Sequence, residues 1–111
     1  MSPSDKPLVW LHSEVKSPPL SAQARLGAGY LLRALQKGQA ISMPDSRPMP
    51  SIGRRVHELR ISDGAKNAEW RIVYRIDPDA IVVVHVFQKK TQATPQAVVT
   101  LCKARLAAYD E

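Results

Sequence analysis

The sequence predicts an α+β fold: a mostly antiparallel, twisted β-sheet with an N-terminal helix or helices on one face and a C-terminal helix packed near the sheet end. Three observations carry that reading. Three β-rich runs follow one another across short turns in the second half of the chain, and short turns imply an antiparallel meander. Apolar residues recur at helical spacing once before these runs and once after them. A further β-rich run precedes the first helix. A chain of 111 residues is the size of one domain, 1–111, and it can bury a core only if helices cover a sheet face.

Residues 1–6 read as a loose, flexible tail, and Lys6 to His12 (KPLVWLH) as a first strand. SPPLS breaks that strand, with Pro18 and Pro19 suited to the start of a helix. From Leu20 to Lys37 the pattern is helical, with Ala24, Ala28, Leu31 and Leu35 on one stripe and Gly38 where a C-terminal cap belongs. Gly27 and Gly29 each weaken this helix by about 1 kcal/mol; they allow close packing or mark a break between two short helices. Residues 42–53 (SMPDSRPMPSIG) hold Pro44, Pro48 and Pro50 and read as an irregular connection. Strands follow at Arg55 to Ile61, Trp70 to Ile76 and Ala80 to Gln88, separated by SDGAKNAE and by the tight turn DPD. Thr94 is a suitable N-cap with Pro95 at the first helical position. Val98, Leu101, Leu106 and Tyr109 give the last helix its apolar stripe, with Cys102 beside it as an inert small hydrophobe.

The composition, 44% hydrophobic and 23% charged, is that of an ordinary globular protein, and the formal charge is +6. That balance favours a polyanion such as nucleic acid, or an acidic protein partner. One cysteine allows no internal disulfide, and neither it nor the three histidines have metal-ligand spacing, so no metal and no cofactor is expected. The start, MSPSDKPLVWLH, lacks the form of a signal peptide, and AIVVVHVF is too short to span a membrane. The expected compartment is the cytoplasm.

The chemistry sits on strands. In WRIVYRID, Arg71 and Arg75 point to one face with Val73 between them, while Trp70, Ile72, Tyr74 and Ile76 point to the other, toward a core. In VHELRI, Leu59 and Ile61 share one face, and Glu58 and Arg60 share the other or lie beside it. Lys89 and Lys90 close the last strand. Adjacent strands therefore gather Arg60, Arg71, Arg75 and Lys89 or Lys90 into one region. The plain alternative is a solvated polar face whose arginines pair with Glu58, Glu69 or Asp77. A ligand is the better explanation, because charges rarely cluster at mid-strand without one. RNA suits the cluster: guanidinium forks match phosphate oxygens, and a positioned arginine stabilises the charge that builds on phosphorus when a neighbouring 2′-OH attacks. His85, within VVVHVF, reads first as a hydrogen-bonded core residue, with its strand parity making it a reserve proton carrier. His57 and His12 carry less weight, and Trp70 reads as core.

VHELRI, WRIVYRID and AIVVVHVFQKKTQATP together resemble the phage-derived HigB-like branch of the RelE/ParE toxin superfamily, over roughly residues 54–109. The resemblance implies the toxin of a type II toxin–antitoxin pair, a RelE-like fold, and a ribosome-dependent endoribonuclease that cleaves mRNA by metal-free 2′-OH attack. It implies that Arg71 contacts the reacting phosphate, that Lys90 stands near the proposed general acid, that Arg60 is the arginine of the Leu-Arg pair, and that Arg75 is the second strand arginine. Arg54, Arg55, Arg75 and Lys89 would bind RNA. Glu58 stands where relatives place a lysine two residues before that arginine, so it is either the general base or an orienter of Arg60 or Arg71. The tyrosine after the last strand and the Tyr-His ending of relatives are absent. The implied partners are mRNA on the ribosome and a HigA-like helix-turn-helix antitoxin, with no membrane. The alternative is a non-catalytic RNA-, ribosome- or host-factor-binding module.

Overall fold

The computed structural model describes residues 5–12 and 19–111. Five strands form one sheet: β1 (Leu8–Trp10), β2 (Ser46–Pro48), β3 (Val56–Asp63), β4 (Ala68–Ile76) and β5 (Ile81–Gln88). Their order across the sheet is β1-β5-β4-β3-β2, so β4 is the central strand. Every pairing is antiparallel except β1 with β5, which is parallel. The helices are α1 (Ala22–Gln36) and α2 (Gln96–Asp110), and the fold is the α+β arrangement that the sequence predicts.

Each helix covers one face. Ala24, Ala28, Leu32 and Leu35 of α1 lie on Leu59, Ile61, Trp70, Ile72, Tyr74, Ile81 and Val83, with Trp10 packed against the same cluster. The other face is also buried. Val99, Cys102 and Leu106 of α2 pack on Val56, Val73, Val82 and Val84, so α2 lies across this face of the sheet, not at its end. The expected stripe of α2 is turned by about one residue: Cys102 is fully buried, whereas Leu101 and Tyr109 face solvent. The apolar residues of both flanks fit helical spacing, and only the valines on the sheet decide which flank turns inward.

Local signals explain most boundaries. The Ser21 hydroxyl accepts from Ala24 N at 3.2 Å, capping α1. Gly38, at φ +88°, ends the helix: its N–H donates to Leu35 O and the next N–H, of Gln39, to Ala34 O, a Schellman arrangement that only glycine enters without strain. The helix runs unbroken through Gly27 and Gly29, and a side chain at either would meet open space, so neither marks a break or a close contact. The Pro18 part of the proposed helix start lies outside the described residues, as do residues 1–4 of the tail. Asp5 and Lys6 are anchored, by Arg33 (2.6 Å) and by Gln36 O (2.9 Å).

Two features depart from the sequence reading. Residues 46–48, within the stretch read as irregular, form the edge strand β2, paired with 57–59 of β3. Pro48 fits there because an edge strand has an N–H side that need not be paired. Thr94 does not cap α2. Pro95 stands at the N-cap with no side-chain bond to the helix, and the Thr94 hydroxyl donates to Glu58 Oε2 at 3.0 Å. Leaving a helix start uncapped costs about 1 kcal/mol.

Candidate functional site

The antiparallel register of β3 and β4 sets Arg60 directly opposite Arg71. Like charges at opposed positions repel, so this pair costs the sheet stability unless an anion lies between them. The same rung continues to Phe87 of β5, and two rungs on Ser62 stands opposite Glu69, whose carbonyl accepts from Lys89 N at 2.7 Å. Lys89 is thereby fixed beside the two arginines. Arg60, Arg71, Lys89 and Lys90 line one open cleft of about 750 Å³, together with Pro44, Asp45, Ser62, Glu69, Thr91 and Gln92. Four cations face two carboxylates there.

Arg71 is the most enclosed of the four, with its side chain 5% exposed. Its Nη1 donates to Trp70 O at 2.9 Å and lies 3.9 Å from Glu69 Oε2. Its Nε is buried and makes no hydrogen bond, with Glu58 Oε1 3.6 Å away. Burial, then repulsion from Arg60, pulls the guanidinium below its ordinary pKa against the attraction of Glu58 and Glu69. Lys89 is lowered as well, first by burial and then by Arg71 and Arg60. The cleft is therefore a place where positive charge is held at a cost, which an anion would relieve.

Glu58 does not line this cleft. It is buried behind Arg71, with Thr94 on one oxygen and Arg71 and Arg47 at 3.6 and 3.7 Å from the other. That position suits orientation of guanidinium groups.

Arg75 is placed differently. Its Nε and Nη2 donate to both oxygens of Asp77 (2.7 and 2.9 Å), and its Nη1 and Nη2 to both oxygens of Asp110 (2.8 and 2.7 Å). Tyr109 lies against the same guanidinium, 5.9 Å from the ring centre. These hydrogen bonds raise the pKa of Arg75 and hold the Asp110 carboxyl below its ordinary value. Arg75 is thus tied to the end of α2. Arg54 and Arg55 stand at the same end of the sheet, around a smaller hollow with Lys103 and Asp110. Arg55 Nε donates to Ile76 O, and its Nη2 lies 3.6 Å from Asp77. Of the eight candidate residues, four come together in the cleft, Glu58 stands behind it, and Arg54, Arg55 and Arg75 lie at the other end.

His85 sits outside the cleft, with Nδ1 3.2 Å from Arg105 Nη1 and its ring stacked on Phe87. His57 stacks on Tyr74, and Trp70 lies in the core. Among the described residues no group of three or more histidine, cysteine or acidic side chains forms a metal site, and no helix is long and apolar enough to cross a membrane.

Arg47, which reaches Glu58 from β2, was not legible as a site residue because its strand was read as irregular. No two-residue alternation marks this three-residue edge strand, whose residues are buried, half-buried and exposed in turn, so the sequence carries no signal for Arg47.

The sequence model of the family described as Phage derived protein Gp49-like (DUF891) matches residues 15–107, which include every residue that lines the cleft. The chain belongs to this family. The match reaches upstream of residue 54, through α1 and β2. No curated protein and no solved structure matches the chain.

Proposed function

We propose that this Gp49-like protein is the toxin of a type II toxin–antitoxin pair and cleaves mRNA on the ribosome. The observation that carries the proposal is the Arg60–Arg71 pair, opposed across two strands and joined by Lys89 and Lys90 in one open cleft. A phosphodiester placed between the guanidiniums would offset their repulsion. As the adjacent 2′-oxygen attacks phosphorus, the added negative charge would fall where Arg71 is already held, and fixed charge of this kind is worth most when it need not reorganise. Attack forms the O2′–P bond, breaks the P–O5′ bond, and leaves a 2′,3′-cyclic phosphate and a 5′-hydroxyl. Lys90, or its neighbour Lys89, would supply the proton to the leaving oxygen, and water in the open cleft would accept that of the 2′-hydroxyl.

The partners proposed are ribosome-bound mRNA and a HigA-like helix-turn-helix antitoxin. The antitoxin would cover the cationic cleft with acidic and apolar side chains.

A second reading, a non-catalytic RNA- or ribosome-binding module, is favoured by one observation: the single carboxylate proposed as base, Glu58, is buried away from the cleft. One experiment separates the two. Purified protein is added to ribosomes programmed with a defined mRNA, and the transcripts are mapped at both new ends. The toxin reading expects cuts with cyclic-phosphate 3′ ends and growth arrest on induction. Ribosome binding with intact transcripts would select the binding module.

A further inference from the structure

Thr94 is the residue that neither the fold nor the proposed reaction accounts for. It stands just before α2, where its hydroxyl could cap the helix, yet it caps nothing. The hydroxyl instead reaches across 36 positions of sequence to Glu58 Oε2, at 3.0 Å. That bond fixes which way the Glu58 carboxylate is turned. Its other oxygen, Oε1, lies between Arg71 Nε at 3.6 Å and Arg47 Nε at 3.7 Å. Glu58 is almost wholly buried, and Arg71 Nε, itself buried without a hydrogen-bond partner, has Glu58 Oε1 as the carboxylate oxygen beside it. A carboxylate free to rotate could favour Arg47, whose side chain is 41% exposed, and so release Arg71.

We infer that Thr94 is a positioning residue for the cleft: its hydroxyl locks Glu58, and Glu58 holds the Nε side of Arg71 so that the rest of the guanidinium is presented to a phosphate. This rests on the proposed cleavage reaction for its consequence, though not for its geometry. It also links the start of α2 to the cleft, since the segment that places Thr94 leads directly into the helix that covers the second sheet face.

The test has one arm in catalysis and one that needs no substrate. Thr94→Val keeps the shape and removes the hydroxyl; Thr94→Ser keeps the hydroxyl. In ribosome-dependent cleavage, Thr94→Val is expected to lower kcat about ten-fold or more with KM nearly unchanged, and Thr94→Ser to stay within about three-fold of the parent, the size of effect that a misplaced charge-stabilising group produces. A structural role alone would lower stability without splitting kcat from KM. The second arm follows the Arg71 Nε–H by nuclear magnetic resonance in the parent, in Thr94→Ser and in Thr94→Val. Hydrogen exchange there is expected to be at least ten-fold slower than at the exposed Arg54 in the parent and in Thr94→Ser, and several-fold faster in Thr94→Val than in the parent. Cleavage by folded Thr94→Val at the parent rate, or Thr94→Ser no better than Thr94→Val, overturns the inference. So does exchange at Arg71 as fast as at Arg54, whether or not any variant folds. A parent that does not cleave RNA, but whose Arg71 Nε–H loses protection in Thr94→Val, retires the reaction and leaves the positioning intact.

Discussion

Arg71 and Arg75 stand four residues apart on one strand, about 13 Å along it, and they have opposite roles. Arg75 is saturated, with two carboxylates gripping it on four hydrogen bonds and Tyr109 beside it. Arg71 faces another arginine, and its nearest carboxylates lie at 3.6 and 3.9 Å. One end of the face uses an arginine to fasten α2 to the sheet. The other end holds cations without matching anions and leaves a cleft beside them. A guanidinium is therefore read as structural or available by counting what surrounds it, and its position on a strand does not decide the matter.

The largest change expected on the saturated side comes from Arg75→Ala. It leaves the buried Asp77 with only Arg55, 3.6 Å away, and should cost about 3 kcal/mol in chemical unfolding, the low end of the range for breaking a buried ion pair. Cleavage per folded molecule should stay within a few-fold of the parent. If stability is unchanged, the two ends are less different than their geometry indicates. On the open side, Arg60→Ala removes half of the opposed pair. It should lower cleavage about 10²-fold, as loss of one charge-stabilising donor does, while relieving the repulsion on Arg71 and leaving the melting temperature equal or higher. A fall in stability would mean that Arg60 is a structural residue after all.

Smaller effects sharpen the contrast. Lys90→Ala should reduce the salt dependence of RNA or ribosome binding by about 0.7 in the log–log slope, the value for one contact to single-stranded nucleic acid; Lys103→Ala, at the far end, should leave the slope alone. The smallest effect concerns acid. The hydrogen bond to Arg75 lowers the pKa of Asp110 in the folded chain, so its contribution is complete above the ordinary carboxyl value of 3.8 and is lost as pH falls through the lower folded value. Melts of the parent and of Asp110→Asn should therefore differ at pH 6 and converge only as the pH is brought well below 3.8.

The order of elements, β2 excepted, and the apolar face of β3 and β4 beneath α1 were legible because alternation and turn residues are local signals; the burial of the second face under α2 was not. The gathering of Arg60, Arg71, Lys89 and Lys90 was legible for the same reason: strand parity and short turns carry it. What could not be read depends on contacts between distant parts of the chain. Asp110, which ties up Arg75, lies 35 positions away. Thr94 looks like a cap and serves Glu58 instead, 36 positions back. The stripe of α2 was off by one residue because either flank satisfies helical periodicity, and the valines of the second face select Cys102 over Leu101.

The account is tested most directly by measuring Arg71→Ala and Arg75→Ala side by side, each for unfolding free energy and for ribosome-dependent cleavage, with Arg71→Lys as a check on shape. The expected result is a crossing. Arg71→Ala keeps a cooperative fold and loses about 10²–10³ in rate, and Arg71→Lys recovers little because an ammonium lacks the planar fork. Arg75→Ala loses stability and keeps its rate. A folded Arg71→Ala that cleaves within a few-fold of the parent, or an Arg75→Ala whose rate falls as far, would contradict the account.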